Sequence, residues 1–490
     1  MRNPCSINWQ KCEMESLSTL GLHRLVHFDL KRTPIKVDYF EKLFPLLHIW
    51  GATGVLIEWE DTFPYSGEIS VIGSSGPGGV GYKEDEVERI YKLAEENELI
   101  VVPLVQTFGH LEFVLRHEKW AYLREVSRYP SSLCPSHPDS LRLVTTMIDQ
   151  VIEKAPKTPS FFHIGADEVW HIGMCSVCSD FERPYLLMNH LLSVLKHIQD
   201  KHPGIRPIMW DDMLRTVSPD IIKEFQLGKM VDPMVWFYEP AQYFQVPTGL
   251  WEKYADCFGK LWIASAFKGA TGPCQVLPVI QHHVSNHEQW LSTVSKLDRI
   301  TILGIAITGW SRYDHYATLC ELLPAALPSL ALCLKICTTG TYDSTIYKEV
   351  ATSLGYTKVP LLLIPYPRPQ AVAVELNFPG WKIATGVEWF ANLKGKHLTI
   401  VNSDQVGAWM NPWQLKNNFI NPMQVQGFIS AAFELGKEWD ALEAYMMKHM
   451  SEVYYDATID EWLATLVHPP KQEVKQLVKS VNKLLECSNR

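Results

Sequence analysis

The chain has 490 residues, of which 47% are hydrophobic, and carries a formal net charge of -9 with a pI of about 6.1. A chain of this length and composition can bury one large core and a second, smaller one. The sequence has neither the Lys/Arg block typical of a nucleic-acid surface nor the run of about 18 apolar residues that spans a membrane, so we expect neither kind of partner.

Short apolar runs rich in β-branched residues recur along the first 310 residues, with helical patterns between them. They predict strands at 24–30, 54–60, 99–107, 160–168, 206–212, 230–240, 260–269 and 300–310. Helical spacing of apolar residues predicts helices at 37–51, 84–98, 140–155 and 180–202. Because the apolar runs are continuous rather than alternating, the strands are expected to be covered on both faces, and therefore parallel.

Eight strands that alternate with helices predict a (β/α)8 TIM barrel. A doubly wound open sheet is the alternative, but it would normally carry a glycine-rich phosphate loop after its first strand, and HFDLKRTP (27–34) is not one. After residue 340 the alternation stops, and amphipathic helices are predicted at 424–450 and 460–486. We therefore predict an N-terminal extension (1–20), a catalytic barrel (21–338) and a mainly helical region (339–490) whose apolar faces could form a homodimer.

The segment FFHIGADEVW (161–170) ends an apolar run on two adjacent carboxylates, Asp167 and Glu168. In a TIM barrel this strand end opens into the pocket face. Ordinary glycosidase carboxylates flank the sugar about 5 Å apart or more, which adjacent residues match poorly. The pair suits a reaction in which one carboxyl is the acid and the substrate's own 2-acetamido oxygen is the nucleophile, with the neighbouring carboxylate holding the acetamido N–H. The alternative is a structural pair at a helix N-terminus.

Aromatic residues stand at three other predicted strand ends, Trp210, Trp236 and Trp310. One such Trp is usually a core residue, but three on one face indicate a lined pocket, and indole rings suit the apolar C–H faces of a sugar. Tyr238 follows Trp236 by two residues and is expected to point the same way, with a hydroxyl that could bind an acetamido oxygen.

Three polar residues near strand ends are further candidates. His110 follows the third strand and could form a carboxylate–histidine relay with Glu60 that tunes the Glu168 proton, although a lone His is more often structural. Arg24 could clamp two sugar hydroxyls with its forked donors. Its early place in the first strand favours the alternative, a structural role at the bottom of the barrel.

Eleven cysteines are scattered without a framework pattern, and the N-terminal sixteen residues contain no apolar stretch of the secretory kind. We therefore expect reduced thiols and a cytoplasmic and nuclear location. Cys175-x-x-Cys178 is half of a zinc motif, but no second pair is evident in the sequence, so we predict free thiols, no metal and no cofactor.

The motif HIGADE (163–168) matches the H-x-G-x-D-E signature of glycoside hydrolase family 20, the β-N-acetylhexosaminidases. Four further segments are similar to a branch of that family that lacks the secretory address: LVQTFGH (104–110), PIMWDDML (207–214), SAFKGATGP (265–273) and TGWSRYDHY (308–316). The resemblance covers residues 24–335 and persists at EWLATLVHP (461–469).

The resemblance implies a retaining exo-β-N-acetylhexosaminidase that hydrolyses terminal non-reducing β-linked GalNAc, and GlcNAc, with assistance from the substrate's 2-acetamido group. It implies that Asp167 polarises the acetamido group and that Glu168 is the general acid/base. It also implies substrate-binding roles for His110, the three Trp residues and Arg24, which stands five residues before Asp29 as in the family's R-x-x-x-x-D. Glu60 falls on the matching acidic position of the second strand. The branch has a near-neutral pH preference and a bias toward GalNAc.

Two departures from the family pattern weaken the substrate assignment. The family's Tyr-x-Asp on the seventh strand is replaced by AFKGA (266–270), and Arg312 stands where an acid often follows Trp310, with Asp314 and Glu321 as possible substitutes. A catalytically impaired glycan-binding barrel is therefore the alternative function. Metal-dependent hydrolysis is disfavoured because no ordered His/Asp ligand set is visible in the sequence.

Overall fold

A computed structural model describes residues 20–365, 375–419 and 421–488 of the chain. The predicted extension 1–20 falls, except for its last residue, outside the described residues. Within them, no helix is both long enough and apolar enough to cross a membrane.

The described residues contain ten strands, of which eight are parallel and close into a barrel. Each barrel strand pairs with the next barrel strand in the chain, and the last pairs with the first. In chain order the strands are β1 (His23–Asp29), β2 (Gly54–Glu58), β3 (Ile100–Leu104), β4 (Arg124–Val126), β5 (Tyr129–Leu133), β6 (Phe161–His163), β7 (Arg206–Trp210), β8 (Asp232–Trp236), β9 (Lys260–Lys268) and β10 (Thr301–Gly309). β4 and β5 form a separate antiparallel hairpin. The predicted TIM barrel is confirmed, but β6 ends five residues before the predicted strand end at 168.

Helices cover the barrel and form the region that follows it. Those of the barrel are α1 (Val37–Trp50), α2 (Glu84–Glu96), α3 (Glu112–Leu115), α4 (Pro138–Glu153), α5 (Arg183–Lys201), α6 (Pro219–Glu224), α7 (Thr248–Cys257), α8 (Ile280–Val294) and α9 (Leu323–Thr339). The later ones are α10 (Ser344–Ser353), α11 (Trp381–Val401), α12 (Asp404–Trp409), α13 (Pro412–Asn417), α14 (Pro422–Met450), α15 (Asp456–Trp462) and α16 (His468–Ser488), with a π-helical turn at Leu463–Val467.

The barrel interior is a packed apolar core rather than a pore. Leu25, Leu56, Ile208, Met234 and Trp262 from five strands are all fully buried there. At the N-terminal ends of the strands, the Trp262 ring stacks on the imidazole of His23, with 5.3 Å between the ring centroids. This filling closes the barrel interior below the C-terminal ends of the strands, where a cavity opens at the end at which such barrels place their sites.

The C-terminal helices pack on each other and on the barrel. α11 contacts both α9 and α14, and α14 contacts α16. These contacts bury within the chain much of the apolar surface that suggested a homodimer, such as Trp439 and Trp462. The homodimer stays a prediction.

Candidate active site

A cavity of about 330 Å³ opens at the C-terminal ends of the barrel strands. Its lining includes seven of the residues that the sequence predicted for the site: His110, Asp167, Glu168, Trp210, Trp236, Tyr238 and Trp310. Further lining residues that were not predicted include Lys31, Glu58, Gln106, Glu239 and Tyr313. The structure therefore brings the carboxylate pair and the aromatic residues into one pocket.

A turn, rather than strand alternation, places Asp167 and Glu168 over this cavity. After β6 ends, Gly165, Ala166 and Glu168 adopt left-handed backbone conformations with φ of 62°, 69° and 47°. A Cβ on Gly165 would lie 2.0 Å from Oε1 of Gln106, so a larger residue would both displace that side chain and strain the left-handed backbone. The same Gln106 oxygen accepts a hydrogen bond from the Ala166 amide at 3.2 Å. Two non-glycine residues in this conformation indicate backbone strain of the kind stored at functional sites.

His110 bridges the two carboxylates. Its Nε2 lies 3.3 Å from Oδ2 of Asp167 and 3.3 Å from Oε2 of Glu168. Burial opposes the charged imidazolium, but the two acids outweigh it and hold the pKa of His110 well above its usual value. A Cβ on Gly109 would lie 2.0 Å from the Asp167 carbonyl oxygen, which explains the glycine before His110.

The two carboxylates differ in their surroundings. Asp167 is 7% exposed, and its Oδ1 is buried with no hydrogen-bond partner among the described residues. The Glu168 side chain is 35% exposed and faces the cavity. Asp167 is thus held inside the pocket with an unpaired acceptor oxygen, while the Glu168 carboxyl can reach solvent.

Asp212, which the sequence did not single out, supports this arrangement. Its Oδ2 accepts a hydrogen bond from the Glu168 amide at 2.9 Å, and its Oδ1 accepts one from Nε1 of Trp236 at 3.2 Å. Burial and, next, the charge of Asp167 raise the pKa of Asp212 to about 7. The signal available in the sequence was the second acid of PIMWDDML, the segment that also holds Trp210.

Aromatic rings form one wall of the cavity. Tyr238 stacks on Trp236 with 5.3 Å between ring centroids and meets Trp310 edge-on at 6.5 Å. Trp210 lies 5.9 Å from Trp310 and is almost fully buried, with an Nε1 that has no partner among the described residues. Burial raises the pKa of Tyr238, so its hydroxyl stays protonated and can donate.

Lys31 is a buried cation of the site that was not predicted from the sequence. Its Nζ lies 3.4 Å from Oδ2 of Asp29, 3.8 Å from Oε1 of Glu60 and 4.0 Å from Oε1 of Glu58. Burial alone would lower the pKa of Lys31, but these carboxylates outweigh it and raise the pKa well above its usual value. The ammonium also lies over the Trp310 ring, 5.4 Å from its centroid.

The predicted relay between Glu60 and His110 is wrong. Glu60 begins a short 3₁₀ turn with a left-handed φ of 42°, and this turn directs its carboxylate to Nε2 of His315 and to Lys31. His110 instead contacts the acids after β6.

The prediction that Arg24 binds substrate is also wrong. Its Nε donates to the Gly51 carbonyl at 2.6 Å, and its amide donates to Oγ1 of Thr53 at 2.8 Å. Both partners precede β2, so Arg24 lies at the bottom of the barrel. Asp29, at the upper end of β1, is five residues and therefore about 16 Å away. The alternative reading, a structural role at the bottom, is the one that the contacts support.

Comparison with known proteins gives two similar sequences at high coverage. Human hexosaminidase D is 37% identical over 470 residues, which are 94% of this chain and 94% of the relative. The chain belongs to the hexosaminidase D family. Bovine hexosaminidase D is 43% identical over 343 residues, 69% of this chain and 98% of the relative. The resemblance seen in HIGADE and its companion motifs is thereby confirmed, and the chain is a glycoside hydrolase of the β-N-acetylhexosaminidase class.

No protein-family model matches the sequence. Solved structures with a similar fold include Streptomyces plicatus N-acetyl-β-hexosaminidase, at 14% identity over 68% of this chain and 67% of that chain, with a TM-score of 0.49. A family 20 exo-β-N-acetylglucosaminidase from Vibrio harveyi, at 14% identity over 68% of this chain and 57% of that chain, has a TM-score of 0.47. Membership of the hexosaminidase D family rests on the two sequence relatives alone.

The departures from the family pattern are structurally satisfied. Nζ of Lys268, in the AFKGA segment, donates to the Trp310 carbonyl at 2.6 Å. Glu321 accepts from the Gly269 amide at 2.9 Å, and Asp314 accepts from two backbone amides of its own loop. Neither acid lines the cavity, so neither is a good substitute for the missing sugar contact. Glu239 does line it, is exposed, and has no ion-pair partner among the described residues.

The helical region reaches the rim of the site through Arg312. This residue is fully buried, and its guanidinium forms a bidentate pair with Glu461 at 2.7 and 3.0 Å. Arg32 joins the same carboxylate at 3.2 Å. Glu461 opens EWLATLVHP, which explains why the family resemblance reappears in the C-terminal helices.

Proposed function

We propose that the chain is a retaining exo-β-N-acetylhexosaminidase that hydrolyses terminal non-reducing β-linked GalNAc, and GlcNAc, by substrate-assisted catalysis. The observation that carries the proposal is the free, buried Oδ1 of Asp167 beside the half-exposed Glu168. An acetamido N–H is a donor suited to that orphaned acceptor, because a buried carboxylate oxygen without a partner is costly. A cavity of about 330 Å³ is near the lower end for ligand pockets and suits one terminal sugar.

In the first step, Asp167 accepts the acetamido N–H and turns the acetamido oxygen toward C1. That oxygen bonds to C1 while the C1–O bond to the leaving group breaks, and Glu168 gives its proton to the departing oxygen. The positive charge of the resulting oxazolinium ion lies beside Asp167, which stabilises it electrostatically. Glu168 then takes a proton from water, whose oxygen attacks C1 and reopens the ring with net retention.

The other residues around the pair serve this chemistry. Nε2 of His110 lies 3.3 Å from an oxygen of each carboxylate, so a charged imidazolium attracts both and keeps them at a fixed separation. Asp212 fixes the Glu168 backbone and the Trp236 ring at the same time, so it is a positioning residue. The aromatic wall supports the apolar face of the sugar, and the Tyr238 hydroxyl is available to the acetamido oxygen.

For the preference between GalNAc and GlcNAc we propose Glu239. The two sugars differ only in the orientation of the 4-hydroxyl. That hydroxyl needs a polar partner far from the acetamido group. Glu239 is the exposed cavity carboxylate, whereas Glu58 is buried and already bound by His27 at 3.0 Å and Gln106 at 3.3 Å. A carboxylate can accept hydrogen bonds from the 4- and 6-hydroxyls together.

The second candidate, a glycan-binding barrel without catalysis, is favoured by one observation. The segment AFKGA stands where the family pattern has Tyr-x-Asp, and Arg312 stands where it often has an acid. Lys268 of that segment and Arg312 are both committed to internal contacts. Measurable sugar binding without hydrolysis of any aryl hexosaminide would support this candidate.

The test compares aryl β-GalNAc, aryl β-GlcNAc and aryl β-galactoside as substrates of the wild-type chain. Hydrolysis of the two acetamido sugars with no hydrolysis of the galactoside is the expected result. With poorly activated aryl groups, Glu168→Ala and Asp167→Ala should each abolish most turnover, while Asp85→Asn, a change of an exposed acid on α2, should not. Cleavage of the galactoside at a similar rate would contradict substrate assistance.

We also propose a cytoplasmic and nuclear location. No disulfide joins the cysteines among the described residues, which suits a reducing compartment. Microscopy of the full chain fused to a fluorescent protein tests it, and accumulation in a secretory compartment would contradict it.

A further inference from the structure

Four potential metal ligands meet on the loop that follows the catalytic acids. Glu125 is in β4, Cys134 follows β5, and Cys175 and Cys178 lie in the loop between β6 and α5. The Cys134 sulfur is 3.6 Å from that of Cys175 and 3.5 Å from that of Cys178. The three sulfurs and a Glu125 carboxylate oxygen all lie within 4.8 Å of one another.

The carboxylate is held in place but not fully satisfied. Oε1 of Glu125 accepts hydrogen bonds from the amides of Met174 and Cys175 at 2.6 and 3.0 Å. Its Oε2 is buried and has no partner among the described residues, and Glu125 as a whole is 2% exposed. Among the described residues, no Lys, Arg or His forms an ion pair with this buried carboxylate, and a buried charge without a paired cation is costly.

We propose that Glu125, Cys134, Cys175 and Cys178 bind one structural zinc ion. Tetrahedral zinc with Zn–S bonds of about 2.3 Å places its sulfur ligands roughly 3.8 Å apart, close to the separations of the Cys134 sulfur from the other two. Cys175-x-x-Cys178 has the ligand spacing of zinc sites, and four protein ligands make a closed, structural site. The Ser136 hydroxyl, 3.1 Å from the Cys178 sulfur, can donate to a metal-bound thiolate.

The arrangement favours zinc over the other states of these cysteines. A disulfide would use two of the sulfurs and leave the third thiol and the Glu125 carboxylate together without a cation. Soft thiolate ligands disfavour Mg²⁺ and Ca²⁺, which prefer oxygen. The sequence alone indicated free thiols because Cys134 and Glu125 lie 41 and 50 residues away from Cys175.

A second group of residues of the metal-binding type consists of Asp149, His197 and His202. It differs from the cysteine group because its carboxylate already has a cation beside it. The Lys201 ammonium already lies 2.8 Å from Asp149 and supplies the positive charge. This group therefore carries no proposal, and it provides a control for the experiment.

The zinc ion would tie the β4–β5 hairpin to the loop that carries Asp167 and Glu168. Cys175 follows Glu168 by seven residues, and the two left-handed, non-glycine residues of this loop need support from their surroundings. His171 stacks on Tyr129 of β5 with 4.3 Å between ring centroids, a second link between the same segments. Zinc would thus hold the acid in place without taking part in the chemistry.

The test is the metal content of the full chain, purified without chelators from cells grown with added zinc. We expect about one zinc per chain by elemental mass spectrometry. Cys134→Ser, Cys175→Ser and Cys178→Ser should each lose most of this zinc and show a lower Tm. Cys257→Ser and His197→Ala are the matched controls and should keep it.

A measurement on the wild-type chain covers variants that fail to fold. A mercurial that modifies thiols should release the zinc, and Co²⁺ added to the metal-free chain should give thiolate-to-cobalt charge transfer and the intense visible bands of a tetrahedral site. Zinc far below one per chain together with no such cobalt spectrum would overturn the proposal. So would a Cys134–Cys178 disulfide in peptides from the native chain, or loss of zinc in His197→Ala alone.

Discussion

Glu168→Gln and Asp167→Asn should respond differently to the leaving group. Glu168 donates a proton to the departing oxygen, which matters only when that oxygen is a poor leaving group. General acid catalysis contributes about 10²–10⁴-fold, so the loss in kcat/KM should reach that range for poorly activated aryl glycosides and nearly vanish for a dinitrophenyl glycoside. Asp167 acts on the acetamido group, so its contribution does not depend on the leaving group.

The expected loss of kcat/KM in Asp167→Asn follows from the position of the Asp167 side chain. Its buried Oδ1 would pair with the acetamido N–H, and removing one preorganised partner of developing charge costs about 10²–10³-fold. We expect that loss in Asp167→Asn with both classes of leaving group. The variant should also lower the pKa of His110, because that imidazole would keep a single carboxylate at 3.3 Å.

The assay is steady-state kcat/KM for a series of aryl β-N-acetylhexosaminides, with Asp85→Asn as the control. Plotting log kcat/KM against the pKa of the leaving phenol should give a steep slope for Glu168→Gln and, for Asp167→Asn, a slope like that of the wild type. Equal losses of Glu168→Gln on all leaving groups would refute the role of Glu168 as the acid. A leaving-group-dependent loss in Asp167→Asn would refute the division of labour between the two residues.

Three further predictions concern residues around the pair. Arg24→Met should lower the free energy of unfolding by about 1–2 kcal/mol through the lost bond to the Gly51 carbonyl, and leave kcat/KM unchanged; a selective rise in KM would contradict its place at the barrel bottom. Asp212, whose pKa is raised to about 7, carries its charge only above that pH, so turnover should fall as the pH drops below 7. Asp212→Asn should turn over more slowly and lose this step from its pH–rate profile; an unchanged profile would exclude Asp212. Glu239→Gln should raise KM by about tenfold and change the GalNAc/GlcNAc ratio, as one lost charged hydrogen bond implies; an unaltered ratio would exclude it from specificity.

The fold and the centre of the site could be predicted because both follow from the barrel's strands. Continuous apolar runs imply strands buried on both faces, and the C-terminal ends of eight parallel strands must converge. That convergence is enough to bring His110, Glu168 and Trp310 together, although they are far apart in the chain.

What could not be predicted depends on local backbone turns and long-range contacts. The pattern of HIGADE continues the alternation of a strand, yet β6 ends at His163, and the left-handed residues after it direct the acids. Likewise, Glu60 turns away from His110 because it begins a 3₁₀ turn. The R-x-x-x-x-D spacing shows that Arg24 and Asp29 share a strand. It does not reveal that this five-residue separation puts Arg24 at the end of β1 opposite the pocket.

Inhibition by a thiazoline analogue of the bound intermediate tests the central claim most directly. Its ring nitrogen takes the place of the acetamido nitrogen, so the change in its competitive inhibition constant between the wild type and Asp167→Asn reports the contact with Asp167. We predict tight competitive inhibition of the wild-type chain and about 10²-fold weaker inhibition of Asp167→Asn. No inhibition of the wild type, or an equal constant in the two proteins, would contradict catalysis through the sugar's own amide.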